Sequence, residues 1–320
     1  MTDNARGAVF GLGAFALFAS HDALIKFLGG QYSPVQVLFF VTLFGFPLVS
    51  LMLMRDRTDG NLFPRQPVWV AVRTAAAVLG ALSAFYAFAN LPLAQVYAIL
   101  FASPLLITVL AIPLLGERVR LRRGLAVLVG LVGVLIVLRP GTAELGFGHL
   151  AALTAAVLGA LSAIVVRRIG AQERSVVLII YPLMANFVLM GLLLPLVYVP
   201  MPVLHLGATL AAAGLGFVAM LLVILAYRSG EAMVIAPMQY SQIVWATLFG
   251  LLFFGETPDL ATALGAAVVI ASGVYIVLRE GRSDASENRP VLATRARPGT
   301  PSAPVLPPEP GADEGPGPGR

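Results

Sequence analysis

Polar side chains are scarce inside the long apolar runs of this 320-residue chain, so the few that occur there define what chemistry it can do. Asp22 is the only carboxylate deep within any run, roughly 15 residues into the first one and about 22 Å along a helix axis. Lys26 follows one helical turn later on the same face. At that spacing a carboxylate and an ammonium can share a proton or offer opposite charges to a zwitterionic ligand, and His21 next door could join a relay. As an immediate neighbour, His21 is expected to point to a different face from Asp22. Two readings of the pair stand: a working charge site, or a structural ion pair whose lysine snorkels toward the membrane surface.

Arg73 enters with the third run, roughly 9 Å from its end by helical rise, where it either reaches a ligand or gate or snorkels to the headgroups. Ser83, Tyr86, Tyr97 and Ser103 lie in the first half of the chain, and Gln239, Tyr240, Gln242 and Trp245 in the second. Gln239 and Gln242 are three apart on one helical face, and Pro237 before them removes a helix hydrogen bond, which fits a span that opens toward a cavity. The other reading is hydrogen-bonded glue between packed helices. The candidate binding or coupling set is Asp22, Lys26, Arg73, Tyr86, Tyr97, Gln239, Tyr240, Gln242 and Trp245.

Other chemistries lack their residues. The chain has no cysteine, and His21, His149 and His205 share no ligand spacing, so no metal or thiol site and no cofactor is expected. There is no Gly-x-Ser-x-Gly, no His-Glu-x-x-His and no second deep carboxylate to partner Asp22, which argues against an enzyme. A phosphate-binding Gly-x-x-x-x-Gly-Lys-Ser/Thr loop is also missing, so any transport would run on a gradient or on exchange.

The elements that must position these groups are membrane helices. A chain that is 58% hydrophobic and 12% charged, with a mean hydropathy of +0.89, far exceeds the balance of a soluble domain. Runs of roughly 20 residues fall at Gly7 to Leu28, Pro34 to Met54, Pro67 to Ala89, Leu93 to Leu115, Arg122 to Leu138, His149 to Val166, Val176 to Val199, Leu206 to Tyr227, Ala232 to Phe254 and Pro258 to Leu278. The expectation is an all-α integral membrane protein of ten transmembrane helices. Short connections such as Asn90-Leu91-Pro92 and Thr257-Pro258-Asp259 carry turn chemistry. Residues 280–320, rich in Pro, Gly and small polar residues, are expected to be a disordered tail.

The stretch from Ala94 to Leu138 returns as Ala232 to Leu278. Ser103 matches Ser241, Gly116-Glu117 matches Gly255-Glu256 and Gly133 matches Gly273, at offsets of 138 to 140 residues. Residues 7–139 and 148–279 are thus read as two copies of one five-helix module. Five crossings per copy place the second upside down relative to the first. Basic residues agree: outside the spans all of them except Arg139 fall on one side, which makes both termini cytoplasmic. The Gly-Glu turns follow suit, since Arg118, Arg120, Arg122 and Arg123 follow Glu117, whereas the TPDLATA after Glu256 holds no base. Bases scattered between spans also exclude a nucleic-acid partner despite the net charge of +5. The nonapeptide AAVLGALSA occurs at Ala76 to Ala84 and again at Ala155 to Ala163; its offset of 79 lies outside the repeat register, so it is read as two small-residue packing faces, a class that also holds Gly130 and Gly133.

Duplicated five-helix halves with a Gly-Glu turn after the fourth and ninth helices resemble the drug/metabolite transporter superfamily with its paired EamA-type domains, over about residues 8 to 279. Within it the chain is most similar to S-adenosylmethionine-uptake-type permeases. Asp22-Ala23-Leu24-Ile25-Lys26-Phe27-Leu28 resembles their first-helix Asp/Lys signature and Val35-Gln36-Val37-Leu38-Phe39-Phe40 the start of their second helix; where those relatives usually follow with Arg, this chain has Val41. The resemblance implies a secondary-active transporter of a small organic metabolite in a bacterial inner membrane, working by alternating access on a proton gradient or exchange. It leaves a homodimer open. The alternatives are a non-transporting membrane scaffold or an intramembrane enzyme.

Reporter fusions after Arg57, Arg123, Arg174 and Arg282 are expected to read as cytoplasmic, and fusions after Pro92, Thr142 and Pro202 as the opposite side. A cytoplasmic signal after Thr142 would overturn the inversion.

Overall fold

The computed structural model describes residues 3–53, 62–116, 121–140 and 145–281. The expected tail began at residue 280; residues 280 and 281 instead complete the last helix, and residues 282–320 lie outside the described residues, as do Glu117, Arg118 and Arg120. The described residues form helices α1 (Asp3–Gly29), α2 (Pro34–Leu53), α3 (Pro67–Asn90), α4 (Leu93–Leu100), α5 (Ser103–Leu115), α6 (Leu121–Leu138), α7 (Phe147–Ile169), α8 (Ser175–Val197), α9 (Val203–Ser229), α10 (Ala232–Ile235), a 3₁₀ segment (Ala236–Tyr240), α11 (Ser241–Phe254) and α12 (Leu260–Gly281). Nine segments among the described residues are long and apolar enough to cross a membrane. The tenth crossing is the broken run from α10 to α11.

The ends of these helices follow from local chemistry. Pro34 opens α2 and Pro67 opens α3, positions where a missing N–H costs nothing. Leu91 is extended (φ −125°, ψ 158°) because the following Pro92 disfavours helical geometry, and that ends α3. Gly116 and Gly255 close α5 and α11 in the left-handed conformation (φ 71° and 66°). Behind Gly255 the Glu256 N–H reaches back to the Gly250 carbonyl at 2.9 Å, which satisfies a carbonyl left over in the last turns of α11. The recurring Gly-Glu is thus first a helix stop. At the start of α12, Asp259 accepts the Thr262 N–H at 2.8 Å and pairs with Arg139. Chiefly that backbone hydrogen bond, then the Thr262 hydroxyl and Arg139, holds its carboxyl below the ordinary carboxylate range.

The fourth and ninth crossings were expected as single apolar runs with a break at Pro237 in the ninth; both are interrupted. Pro104 near the start of α5 leaves a turn at Phe101 and Ala102, and Pro237 sets off the 3₁₀ segment. Both crossings resume at the matched serines, Ser103 and Ser241.

Packing repeats the duplication in space. The α1–α9 contact is matched by α7–α3, α2–α9 by α8–α3 and α5–α7 by α11–α1, while α2 meets α8, α4 meets α11 and α6 meets α12 across the pseudo-twofold axis. The two halves differ most in their first three helices: α1, α2 and α3 touch one another, and no comparable contact joins α7, α8 and α9. The identical nonapeptides face each other along the α3–α7 seam, where a Cβ on Gly80 would stand 3.3 Å from that of Leu158. The α6–α12 seam is tighter. A Cβ on Gly265 would fall 2.6 Å from the Gly133 carbonyl oxygen and 2.5 Å from Val137. Backbone cannot yield as a side chain can.

Gly265→Val is therefore expected to lower unfolding stability by at least about 1–3 kcal/mol, the usual cost of overpacking. Gly207→Val in α9, whose Cβ meets nothing within 4 Å, is expected to leave the melting temperature unchanged. Equal melting temperatures for the two in detergent would disprove the seam.

Candidate functional site

Asp22 is almost fully buried (1% exposed) in the second half of α1. Its Oδ1 lies 2.7 Å from His21 Nδ1, and its Oδ2 accepts the Tyr97 hydroxyl from α4. Gln242 at the start of α11 places its Nε2 3.5 Å from the same Tyr97 oxygen, so the cluster joins both halves at the level where the fourth and ninth crossings break. His21 is steadied edge-on by Phe85, with ring centroids 6.2 Å apart, and by Gly216 of α9, whose Cβ would stand 3.3 Å from the ring.

The expected Asp22–Lys26 pair does not form. Lys26 Nζ instead lies 2.6 Å from Glu256 Oε1, donates to the Leu91 carbonyl at 2.7 Å and sits 5.4 Å from the centre of the Phe254 ring. The second Glu256 oxygen accepts the Leu93 N–H at 3.0 Å. Two orphan backbone groups decide this outcome. Leu91, extended after α3, has a carbonyl that no helix uses, and Leu93 opens α4 with an N–H that has no intrahelical acceptor. Once Glu256 answers Leu93, it is the nearest anion for Lys26. His21 also departs from expectation. Successive helical residues diverge by about 100°, but imidazole Nδ1 lies close to its own backbone and meets the short Asp22 side chain when both turn into one seam.

The other expected residues divide. Tyr97 and Gln242 belong to the cluster. Gln239 and Tyr240 are buried beside it, and Tyr240 packs edge-on against Phe101 at 5.0 Å and over Gly273, where any side chain would overlap its hydroxyl. Tyr86 and Trp245 are half-buried; the Tyr86 carbonyl takes the Asn90 amide and Trp245 stacks on Phe249. Arg73 does not extend to the boundary as the snorkelling alternative requires: it is 1% exposed inside the bundle. Counted from the Gly29–Ala89 contact of α1 and α3, it stands about 13 Å lower along the axis than Asp22. Near it, a cleft of about 550 Å³ opens between α3 and α8, lined by Val70, Thr74, Val78, Tyr181, Ala185 and Leu189 among others. Glu256 was not among the expected site residues, although its duplicated Gly-Glu motif marked it. No cluster of three or more histidine and acidic residues fit for a metal occurs among the described residues.

An all-helical bundle of two inverted five-helix repeats, with a buried polar cluster where two opposed crossings break, is the architecture of a membrane carrier. Residues 5–139 and 146–279 each match the EamA-like transporter family. The chain belongs to that family, within the drug/metabolite transporter superfamily, and is a multi-pass membrane transporter. It is 25% identical over 273 residues to the pseudopaline exporter CntI of Pseudomonas aeruginosa, covering 84% of this chain and 95% of that one. With the S-adenosylmethionine uptake transporter of Rickettsia bellii it shares 23% identity over 287 residues, 88% of this chain and 98% of the relative. A riboflavin transporter of Rhizobium johnstonii is 29% identical over 216 residues, 66% of this chain and 70% of that one. A solved crystal structure superposes with a TM-score of 0.54 at 23% identity, over 83% of this chain and 94% of the other, which shows the fold alone.

The pairing has a thermodynamic signature. Lys26→Met leaves Glu256 unmatched and is expected to lower the melting temperature. Adding Glu256→Gln is expected to recover most of the loss, a coupling of about 0.5–3 kcal/mol, whereas adding Asp22→Asn is not. Rescue by Asp22→Asn alone would restore the i, i+4 pair.

Proposed function

We propose that the chain is a secondary-active carrier in a bacterial inner membrane, both termini cytoplasmic, that moves a small organic metabolite bearing an ammonium group by alternating access coupled to a proton at Asp22 and His21. The observation that carries this reading is the buried Asp22 carboxylate, held between an imidazole of its own helix and a phenol of α4. An ionised carboxylate only accepts, so the Tyr97 hydroxyl donates to Oδ2 and one further proton sits between Oδ1 and His21 Nδ1. Such a dyad keeps a proton or gives it up as the surroundings of Asp22 change. A substrate ammonium competes for the same oxygens, which couples its arrival to release of the proton.

Gln242 supports a cationic group as well. It is fully buried and its Oε1 has no hydrogen-bond partner among the described residues, a deficit of about 1–3 kcal/mol that a donor would remove. Alternating access fits the unequal halves: α1, α2 and α3 are gathered while their counterparts α7, α8 and α9 are apart, and exchanging those two arrangements would turn the opening to the other face. The relatives' names include both an exporter and an uptake transporter, with three different metabolites, so the substrate class is read from the charge of the site.

A thermal-shift screen of the purified protein against amino acids, nucleosides, S-adenosylmethionine and acylcarnitines identifies the substrate; at about 100 times Kd it is expected to stabilise by about 2.7 kcal/mol. Asp22→Asn preserves the shape and an acceptor for Tyr97, so the variant is expected to fold normally, lose that shift and carry no substrate in proteoliposomes. His21→Gln is expected to keep one-for-one exchange and lose accumulation driven by a pH gradient. Wild-type uptake by Asp22→Asn across pH would sink the reading, and pH-driven accumulation by His21→Gln would remove the dyad from coupling.

A further inference from the structure

The contacts around Lys26 have a consequence for how the bundle opens. Lys26 lies in the last turn of α1, and its ammonium holds three elements at once: the chain leaving α3 through the Leu91 carbonyl, the turn after α11 through Glu256, and, by way of the other Glu256 oxygen, the first N–H of α4. Both charged side chains are largely shielded, 11% exposed for Lys26 and 20% for Glu256, so the pair is stronger than one on an open surface. At the same end a Cβ on Gly29 would fall 2.5 Å from that of Ala89, so the glycine lets α1 close fully onto α3. Asp22 lies one turn deeper on α1, beneath this closure. Contact between α1 and α3 is also the clearest departure from two-fold symmetry, since α7 and α9 have no comparable contact.

We propose that Lys26 and Glu256 form the latch of a gate at the end of the bundle opposite the start of α1 and the end of α12, which closes the Asp22 site when engaged and must break in each cycle. For α1 to part from α3 as α7 has parted from α9, the ammonium has to leave the Leu91 carbonyl. The second half's Glu256 then governs access to the carboxylate in the first half. A clasp that served stability alone would hold the helices together without controlling entry to Asp22.

The chain has no cysteine, so a single introduced thiol can report on access. Ala23→Cys puts it beside Asp22, three residues before Lys26, at a position that is 9% exposed. A membrane-impermeant thiol reagent is applied to intact cells and, separately, to inverted vesicles, and the labelling rate is read. With the pair intact, labelling from the gate end is expected to be slow. Glu256→Gln is expected to raise the rate about tenfold, within the usual range of coupling between a site and a conformational change. Lys26→Met with Glu256→Gln leaves no unmatched charge and keeps an acceptor for Leu93, so it is expected to melt near the unsubstituted protein and to label as fast as Glu256→Gln. That result supports the latch whatever the substrate proves to be. A double variant with the unsubstituted melting temperature and slow labelling from both sides would show a static clasp and overturn the proposal. A rise confined to inverted vesicles would keep the latch and overturn the proposed orientation.

Discussion

The bundle is organised by the cost of leaving a charge or a backbone polar group unanswered in hydrocarbon. Asp22 is answered by His21 and Tyr97, and Lys26 by Glu256 and the Leu91 carbonyl. Each answer reaches beyond α1, and the second crosses between the repeats. Two halves that are each incomplete at the centre are thereby held in one register. The same two clusters would give way first if the halves moved, because their partners sit on different rigid elements.

Breaks in the fourth and ninth crossings belong to this logic. A continuous helix satisfies its own backbone and presents side chains at fixed spacing; an interrupted one frees groups that neighbours must satisfy. The turn between α3 and α4 leaves such groups as well: the Leu91 carbonyl and the Leu93 N–H draw Lys26 and Glu256 together. The duplicated Gly-Glu therefore has two separable parts. Gly255 stops α11 by taking a left-handed conformation, and Glu256 carries the charge that reaches across to the first half. The glycine belongs to the helix, and the glutamate to the assembly.

Small residues set how closely the helices approach. Gly133 and Gly265 bring α6 and α12 into backbone contact, and the twin nonapeptides do the same for α3 and α7. With lipid as apolar as any side chain, close approach rather than burial of greasy surface favours association. These seams form a stiff frame around the less symmetric arrangement of α1, α2 and α3 against α7, α8 and α9.

Apolar run length, repeat spacing and turn residues were enough, from the sequence by itself, to determine an all-helical membrane protein of two inverted five-helix halves, because each depends on residues near one another in the chain. Asp22 and Tyr97 were legible as site candidates for the same reason: a polar group inside an apolar run stands out without knowledge of its neighbours. Partners were not legible. Spacing on α1 favours Asp22 with Lys26, yet the tertiary structure gives Asp22 to His21 and Tyr97 and Lys26 to Glu256, which is 230 residues away in the chain. That choice depends on which unsatisfied backbone groups come to rest beside the end of α1, and on how far the two halves have closed. Both are properties of the packed bundle, where hydrogen bonding and charge act through space between segments that share no sequence neighbourhood.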